Sequence, residues 1–256
     1  GDVFWETKLG KGRPGWHIEC SAMSMKYLGE EFDIHTGGQD LIFPHHTNEI
    51  AQSEGATGKR FVHYWLHNEF VLIDEQKMAK SEGNIITLGD IIEKGFNPLS
   101  YRYFLLQAHY RTQINFTWDA LQAAENALKK LYEHFSDLNA EPGEHIHIYK
   151  DKFKDCITED LDIPRAVAVM WEMIKDQTVF PKDKKATLLY FDEVFGLGLG
   201  KCVKENVPQE VQDLVEEREC ARRAKDWKAA DMIRTKIEEL GFTVKDTSSG
   251  PRLYKL

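Results

Sequence analysis

The chain has 256 residues, of which 42% are hydrophobic and 29% are charged, so it has the composition of a globular protein with one large core or two to three smaller domains. The absence of long apolar runs excludes a membrane-spanning protein, and a formal net charge of −9 argues against a surface coated with nucleic-acid contacts. The four cysteines lie far apart, which favours reduced thiols over a disulfide scaffold and indicates a cytoplasmic protein.

Short strands and helices alternate along residues 1–109, which predicts an α/β layer with a parallel sheet. We expect helices over Glu19–Leu28 and from Pro44 to about Ser53. Proline suits the first turn of a helix because its missing N–H costs nothing there. The expected strands are Phe32–His35, Phe61–His67 and Phe70–Ile73, and Lys77–Gly83 is the expected loop after them.

Residues 110–204 carry apolar side chains at helical spacing, which predicts a bundle of about four or five helices. Residues 205–256 form a third expected domain, a small α+β unit. Its helices are predicted over Glu210–Ala224 and Lys228–Leu240, with Gly241 as the C-cap. The strands Phe242–Lys245 and Arg252–Lys255 then close the chain as a β-hairpin.

Three residues are candidate metal ligands. His45 and Glu49 are four residues apart on the predicted helix, so their side chains share one face, and Cys20 can reach that face only through the fold. Thiolate, imidazole and carboxylate together favour zinc. The alternative is that Cys20 is a buried small hydrophobe and His45 a helix-terminus residue, and spacing alone leaves the choice between His45 and His46 open.

Three blocks of sequence resemble cysteinyl-tRNA synthetases, which are class I aminoacyl-tRNA synthetases. Residues 15–23 read GWHIECSAM, residues 35–52 read HTGGQDLIFPHHTNEIAQ, and residues 77–84 read KMAKSEGN. The resemblance continues to the last residues and corresponds to a little more than the C-terminal half of that enzyme. It implies the remainder of a Rossmann-like catalytic domain over 1–109, a tRNA-stem-contacting bundle over 110–204 and an anticodon-binding domain over 205–256.

The resemblance implies that Cys20, His45 and Glu49 are three of four ligands to one zinc ion, which binds the thiol of the substrate cysteine. Zinc prefers a thiolate to an alcohol, so serine is rejected. The fourth ligand, a cysteine, and the HIGH motif that grips ATP are not in this sequence. Trp16 and His35 are expected to line the amino-acid pocket, with a core role as the alternative for Trp16.

The Lys77–Ser81 segment matches the KMSKS signature, with Ala79 in place of the middle serine. Lysines on a movable loop can neutralise the pyrophosphate that leaves ATP during adenylate formation, so Lys77 and Lys80 are candidate catalytic residues, and Lys80 is also a candidate ATP contact. ATP is expected to enter as its magnesium complex.

The segment after the predicted strand Phe32–His35 is also expected to contact ATP. The pair Gly37 and Gly38 permits close approach of backbone to a ligand, although two adjacent glycines also suit a simple tight turn. By resemblance, Asp40 is placed to accept hydrogen bonds from the ATP ribose.

The resemblance places five tRNA-binding candidates in the C-terminal domain: Arg222, Trp227, Asp231, Arg234 and Asp246. Aromatic rings stack on unpaired bases, and carboxylates accept from base amino groups. The alternatives are a core-anchoring Trp227 and a basic stretch that is only a solvated helix face.

The expected function is the ATP-dependent activation of cysteine and its transfer to cysteine tRNA by a monomeric, cytoplasmic enzyme without membrane contact. Because part of the active site is missing, we expect this chain to be weakly active or inactive alone. One alternative is a non-catalytic tRNA-binding fragment. Another is the related ligase that joins cysteine to an amino sugar, which lacks a tRNA-reading tail and is therefore disfavoured by residues 205–256.

Overall fold

The computed structural model describes residues 3–8, 10–77, 85–138, 140–201, 208–247 and 250–255, with the backbone alone at 77, 245, 247, 252, 254 and 255. The described chain is mostly helical, with four small sheets. It divides into two compact units, residues 1–199 and residues 200–256. None of the helices in these ranges is long and apolar enough to cross a membrane.

The first unit begins with a hairpin and a strand–helix–strand motif. Its elements are β1 (Trp5–Thr7), β2 (Gly10–Gly12), α1 (Trp16–Leu28), β3 (Phe32–Gly38), α2 (Thr47–Thr57) and β4 (Val62–Asn68). Strands β3 and β4 pair in parallel, as the sequence predicts, and β1 pairs with β2 antiparallel. The β1–β2 hairpin is not predicted from the sequence because its three-residue strands have no period-two apolar pattern.

The segment between β3 and α2 differs from the prediction. Residues Gln39–Leu41 form a 3₁₀ turn and Ile42–His46 a π-helical turn, so α2 begins at Thr47 and Pro44 lies before it. The reason is local: Phe43 has an extended backbone with φ −133° and ψ 131°, the conformation that a following proline favours.

A three-stranded sheet links this motif to the helices. It contains β5 (Val71–Ile73), β6 (Gln76–Lys77) and β7 (Ile114–Phe116), with β5 antiparallel to β6 and parallel to β7. Between β6 and β7 lie α3 (Leu88–Glu93) and α4 (Pro98–Leu106). The side chains of Thr87 and Asn97 cap the two helices by accepting backbone N–H bonds.

Four helices complete the first unit: α5 (Trp118–Asp137), α6 (His147–Thr158), α7 (Ile163–Lys175) and α8 (Pro181–Phe195). One apolar core runs from Ile73 to Leu199 and includes Phe116, Leu128 and Phe191. This core has members on both sides of the predicted 109/110 boundary, so the first two predicted domains share one compact unit. The three-domain division itself stays a prediction.

The second unit contains α9 (Gln209–Arg223), α10 (Trp227–Glu239) and the antiparallel hairpin of β8 (Phe242–Thr247) and β9 (Gly250–Lys255). The two helices and the hairpin agree with the elements predicted from the sequence. Gly241 follows α10 with a φ of 82°, a conformation that glycine adopts without strain. The small apolar core consists of Val211, Ile237, Phe242 and Val244.

Candidate functional site

The fold brings the three predicted metal ligands together. Cys20 lies on α1, His45 in the π-helical turn and Glu49 in the first turn of α2, and their ligand atoms all lie within 4.8 Å of one another. Ser21 on α1 donates a hydrogen bond to Gln52 Oε1 on α2 at 2.9 Å, which fixes the two helices side by side. The i, i+4 spacing of His45 and Glu49 predicts their contact, but the approach of Cys20 depends on the whole motif.

Glu49 is completely buried and has an unusual environment. Its Oε1 lies 2.7 Å from His45 Nε2 and its Oε2 lies 3.4 Å from His35 Nε2. Within the described chain, neither oxygen has a donor aligned well enough to form a hydrogen bond. Burial raises the pKa of Glu49 to about 7. A buried carboxylate without aligned donors is costly, and a bound cation would remove that cost.

The other two groups of the cluster also suit a cation. Burial, together with the nearby Glu49 carboxylate, raises the pKa of the Cys20 thiol. Burial, together with His17, lowers the pKa of His45, which favours the neutral imidazole that binds metals. The donor set of one sulfur, one nitrogen and one carboxylate oxygen therefore fits zinc, whose binding would supply the positive charge that the thiolate and the carboxylate need.

The geometry separates the two adjacent histidines. His45 faces Cys20 and Glu49. Its Nδ1 lies 2.7 Å from His17 Nδ1, and this contact fixes the orientation of the ring. His46 instead lies with His35 and Glu49 in a second close group. Spacing leaves this choice open because both rings are buried and adjacent, whereas the structure puts only His45 beside the thiol.

Trp16 and His35, the candidates for the amino-acid pocket, flank the cluster. The Trp16 ring stacks on His45 with centroids 3.9 Å apart, and Trp16 is 55% exposed, which argues against the alternative of an ordinary core residue. The His35 ring lies between Glu49 and Trp65. Both side chains therefore border the ligand cluster, as a pocket wall would.

Close packing explains why glycine occupies both positions at the end of β3. A Cβ on Gly37 would lie 2.8 Å from His46 Cε1, and a Cβ on Gly38 would lie 2.5 Å from Asp40 Oδ1. The space that glycine leaves is thus filled by His46 and Asp40, and Asp40 itself is exposed. A contact of this segment with ATP stays a prediction.

The predicted lysine loop follows a strand, as the sequence indicates. The backbone of Lys77 ends β6, which pairs with β5. Ala79 and Lys80 lie outside the described residues, so the roles of the two lysines stay predictions.

In the second unit, α10 presents part of the predicted RNA-binding set. Trp227 is its first residue and is 60% exposed, which argues against the alternative of a core anchor. Asp231 is exposed one turn further along, so it shares a face with Trp227. Arg234 Nε donates to Glu238 Oε1 at 3.2 Å.

The remaining two candidates contact each other. Arg222 donates to Asp246 Oδ2, and Arg218 donates to both oxygens of the same carboxylate at 2.9 and 3.1 Å. Arg218, with Arg222, holds the pKa of Asp246 down at about 2. Arg218 is 95% buried and is absent from the predicted set. Its position four residues before Arg222 on α9 is the sequence signal that pairs the two on one face.

Two segments of the chain match protein-family models. Residues 1–126 match the class I (C) tRNA synthetase catalytic domain. Residues 204–251 match the cysteinyl-tRNA ligase anticodon binding domain.

Curated relatives match along the whole chain. A cysteine–tRNA ligase of Chlamydia muridarum is 43% identical over 100% of this chain and 59% of its own length. The corresponding ligase of Caldicellulosiruptor saccharolyticus is 43% identical over 100% of this chain and 60% of its own length. A cysteine–tRNA ligase 1 of Burkholderia lata is 44% identical over 98% of this chain and 53% of its own length. The chain therefore spans little more than half of these relatives.

One solved structure has a similar fold. It is the Agrobacterium radiobacter LeuRS–tRNA–LeuAMS ternary complex, which matches with a TM-score of 0.59 and 12% identity over 78% of this chain and 33% of that chain.

Proposed function

The chain belongs to the cysteinyl-tRNA synthetase family, and from this premise we propose that it serves the ATP-dependent attachment of cysteine to cysteine tRNA. The observation that carries the proposal is the convergence of Cys20, His45 and Glu49, whose ligand atoms lie within 4.8 Å of one another, with His45 and Glu49 buried and Cys20 half-buried. Zinc held there would favour the thiolate of cysteine over the hydroxyl of serine.

The surrounding residues have supporting roles in this proposal. His17 orients the His45 ring through its 2.7 Å contact, and Trp16 and His35 border the space where the amino acid binds. The Glu49 side chain is itself completely shielded from water. This arrangement would distinguish two amino acids that differ in a single atom without a second editing site.

The nucleotide and RNA steps of the proposal follow from the family to which the chain belongs. Lys77 and Lys80 would neutralise the departing pyrophosphate, and the Gly37–Asp40 segment would contact the magnesium-bound ATP. Trp227 and Asp231 would contact unpaired tRNA bases from the exposed face of α10, with Arg222, Arg234 and Asp246 beside them.

The direct test is to measure zinc content and amino-acid binding on the 256-residue protein. We expect about one zinc per chain, binding of cysteine but not serine by calorimetry, and loss of both in Cys20→Ser. Cys220→Ser is the matched control, because Cys220 is an exposed thiol in the other unit. A protein that holds no zinc, or that binds serine as well as cysteine, would contradict the proposal.

Catalysis is tested separately by cysteine-dependent ATP–pyrophosphate exchange. Only one of the two ATP motifs implied by the resemblance is present in these residues, so we expect weak or absent exchange from this chain alone. Robust exchange would contradict that expectation but would not affect the proposal that the chain binds zinc.

A second candidate function is tRNA binding without catalysis. It is favoured by the match of residues 204–251 to an anticodon-binding family and by the exposure of Trp227. Filter binding of cysteine tRNA tests it: binding that persists in Cys20→Ser supports an RNA-binding role that is independent of the metal centre.

A further inference from the structure

The Glu49 carboxylate faces two different groups of side chains. Its Oε1 lies 2.7 Å from Nε2 of His45, which belongs to the Cys20 cluster, and its Oε2 lies 3.4 Å from His35 Nε2. His46 completes the second group, and the ligand atoms of His35, His46 and Glu49 all lie within 4.8 Å of one another. The metal cluster of the proposed function therefore accounts for the Oε1 side of Glu49 alone.

The distance between Glu49 Oε2 and His35 Nε2 fits a shared metal ion better than a hydrogen bond. At 3.4 Å it is longer than an ordinary N–H···O bond, which measures roughly 2.7–3.2 Å. Two ligands that bind one zinc ion at about 2.0–2.1 Å with tetrahedral angles are about 3.3 Å apart. Because Oε2 is buried and has no aligned donor within the described chain, a cation at this position would satisfy it.

The His46 ring is held in the way that a metal-binding histidine is held. It is buried, and its Nδ1 lies 2.8 Å from Nε2 of His67 on β4. When Nδ1–H of His46 donates in this hydrogen bond, its Nε2 keeps a lone pair that can bind a metal, and such partners commonly orient histidine ligands. The rings of His46 and His35 stand at 88° with centroids 4.7 Å apart, so the two imidazoles approach Glu49 from different directions.

We propose that His35, His46 and Glu49 form a second metal site, which binds a divalent transition-metal ion such as zinc or cobalt. Two imidazole nitrogens and one carboxylate oxygen are a donor set that suits such ions and leaves a fourth position open. Glu49 is the shared ligand: Oε1 serves the Cys20 cluster and Oε2 serves the second site.

The second site is the weaker of the two. The Cys20 cluster offers a thiolate and a carboxylate, whereas the second site offers two neutral imidazoles and a carboxylate that it shares. Two divalent ions that lie on either side of one carboxylate also repel each other. The protein therefore keeps about one zinc ion through purification, as the proposed function expects, and fills the second site only when metal is added.

A cobalt(II) titration of the full 256-residue chain separates the two sites. A cobalt–thiolate bond gives a charge-transfer absorption band, and the second site contains no sulfur. We expect the first equivalent to produce this band and the second equivalent to add d–d absorption without increasing it. A zinc titration by calorimetry should show the same two equivalents, the second with the lower affinity.

Two variants and a control assign the second equivalent to its residues. His46→Gln should abolish the second equivalent and keep the first. His67→Gln, which removes only the partner that orients His46, should weaken the second equivalent by about 10- to 100-fold. His63→Gln is the matched control and should change neither, because His63 also lies on β4 but pairs with Glu31 at 3.1 Å. Circular dichroism melts show that each variant is folded.

The proposal is overturned if the parent binds no sulfur-free equivalent in an excess of metal, as expected of a purely structural histidine cluster. It is also overturned if the second equivalent survives His46→Gln, if its affinity is unchanged in His67→Gln, or if it increases the sulfur band. The second site shares Glu49 with the proposed function, but the readouts differ. A missing sulfur band counts against the Cys20 cluster, whereas a missing sulfur-free equivalent counts against the second site.

Discussion

The N-terminal motif, which contains the ligand cluster, differs from the helical bundle in the kind of side chain that it buries. Up to Asn68 the buried side chains are mostly polar, including Ser21, His45, His46 and Glu49. From Trp118 to Phe195 the buried side chains are mostly apolar, with Leu121, Leu128, Met170 and Phe191 fully buried. We therefore expect the bundle to gain its stability from its own packing, and the motif to gain stability from a bound ligand. The following predictions test this contrast.

The largest effect is expected in the bundle. Phe191 is fully buried and stacks on Phe153 with centroids 4.2 Å apart, so Phe191→Ala should lower the free energy of unfolding by about 3–5 kcal/mol. Tyr64→Ala, on the exposed sheet face, should cost about 0.5 kcal/mol or less. Urea denaturation measures both. Similar costs for the two variants would contradict the contrast.

The second effect concerns zinc. Zinc binding should stabilise α1 and α2 by about 2.7 kcal/mol at a free zinc concentration roughly 100 times its Kd. Hydrogen exchange should show this protection in residues 16–57 but not in the bundle, and Cys20→Ser should abolish it. Equal protection of both regions would mean that they do not differ in their dependence on the metal.

In the second unit, the ion pair between Arg218 and Asp246 allows a test of stability against pH. The pKa of Asp246 is held at about 2, below its usual 3.8, so its pairing stabilises the fold above pH 3.8 and is lost as the pH falls towards 2. The carboxylate is 47% exposed, and solvent screening limits its contribution to about 1 kcal/mol.

Asp246→Asn should therefore lower the melting temperature of the unit at pH 7, and the difference from the parent should disappear near pH 2. Glu216→Gln, which changes an exposed carboxylate on the same helix as Arg218, is the control. A deficit that does not change with pH would argue against the ion pair as its cause.

The smallest stability effect is expected at Trp227. Because this side chain is 60% exposed, Trp227→Ala should change the stability by about 0.5 kcal/mol or less. The same variant should weaken binding of cysteine tRNA by about 1–3 kcal/mol if the ring stacks on a base. Unchanged affinity in filter binding would count against stacking, and Leu240→Ala, also exposed, serves as the control.

Much of the fold follows from local sequence rules. The bounds of α9 and α10 are predicted within a residue, with Gly241 marking the end of α10, whereas for the bundle the apolar periodicity predicts the presence of helices but not their bounds. The β1–β2 hairpin and the turn before α2 are not predicted, because their short segments carry little pattern and the backbone at Phe43 responds to the next residue.

The site is predictable to a different degree. The pair His45 and Glu49 follows from helical spacing, but the approach of Cys20 and the choice of His45 over His46 depend on the packing of α1 against α2. The family resemblance implies the full ligand set. Arg218 is missed because its spacing from Arg222 puts the two side chains on one face of α9 but does not show that both reach Asp246.

Helix α5 has a consequence for dissecting the protein. The catalytic-domain match ends at residue 126, but α5 runs without a break from Trp118 to Asp137. A cut at the end of the match would divide this helix and separate Leu121 from Leu128, which are both fully buried in one core. Fragments and chimaeras should therefore be joined after residue 199, where the compact unit ends, rather than at the limit of sequence similarity.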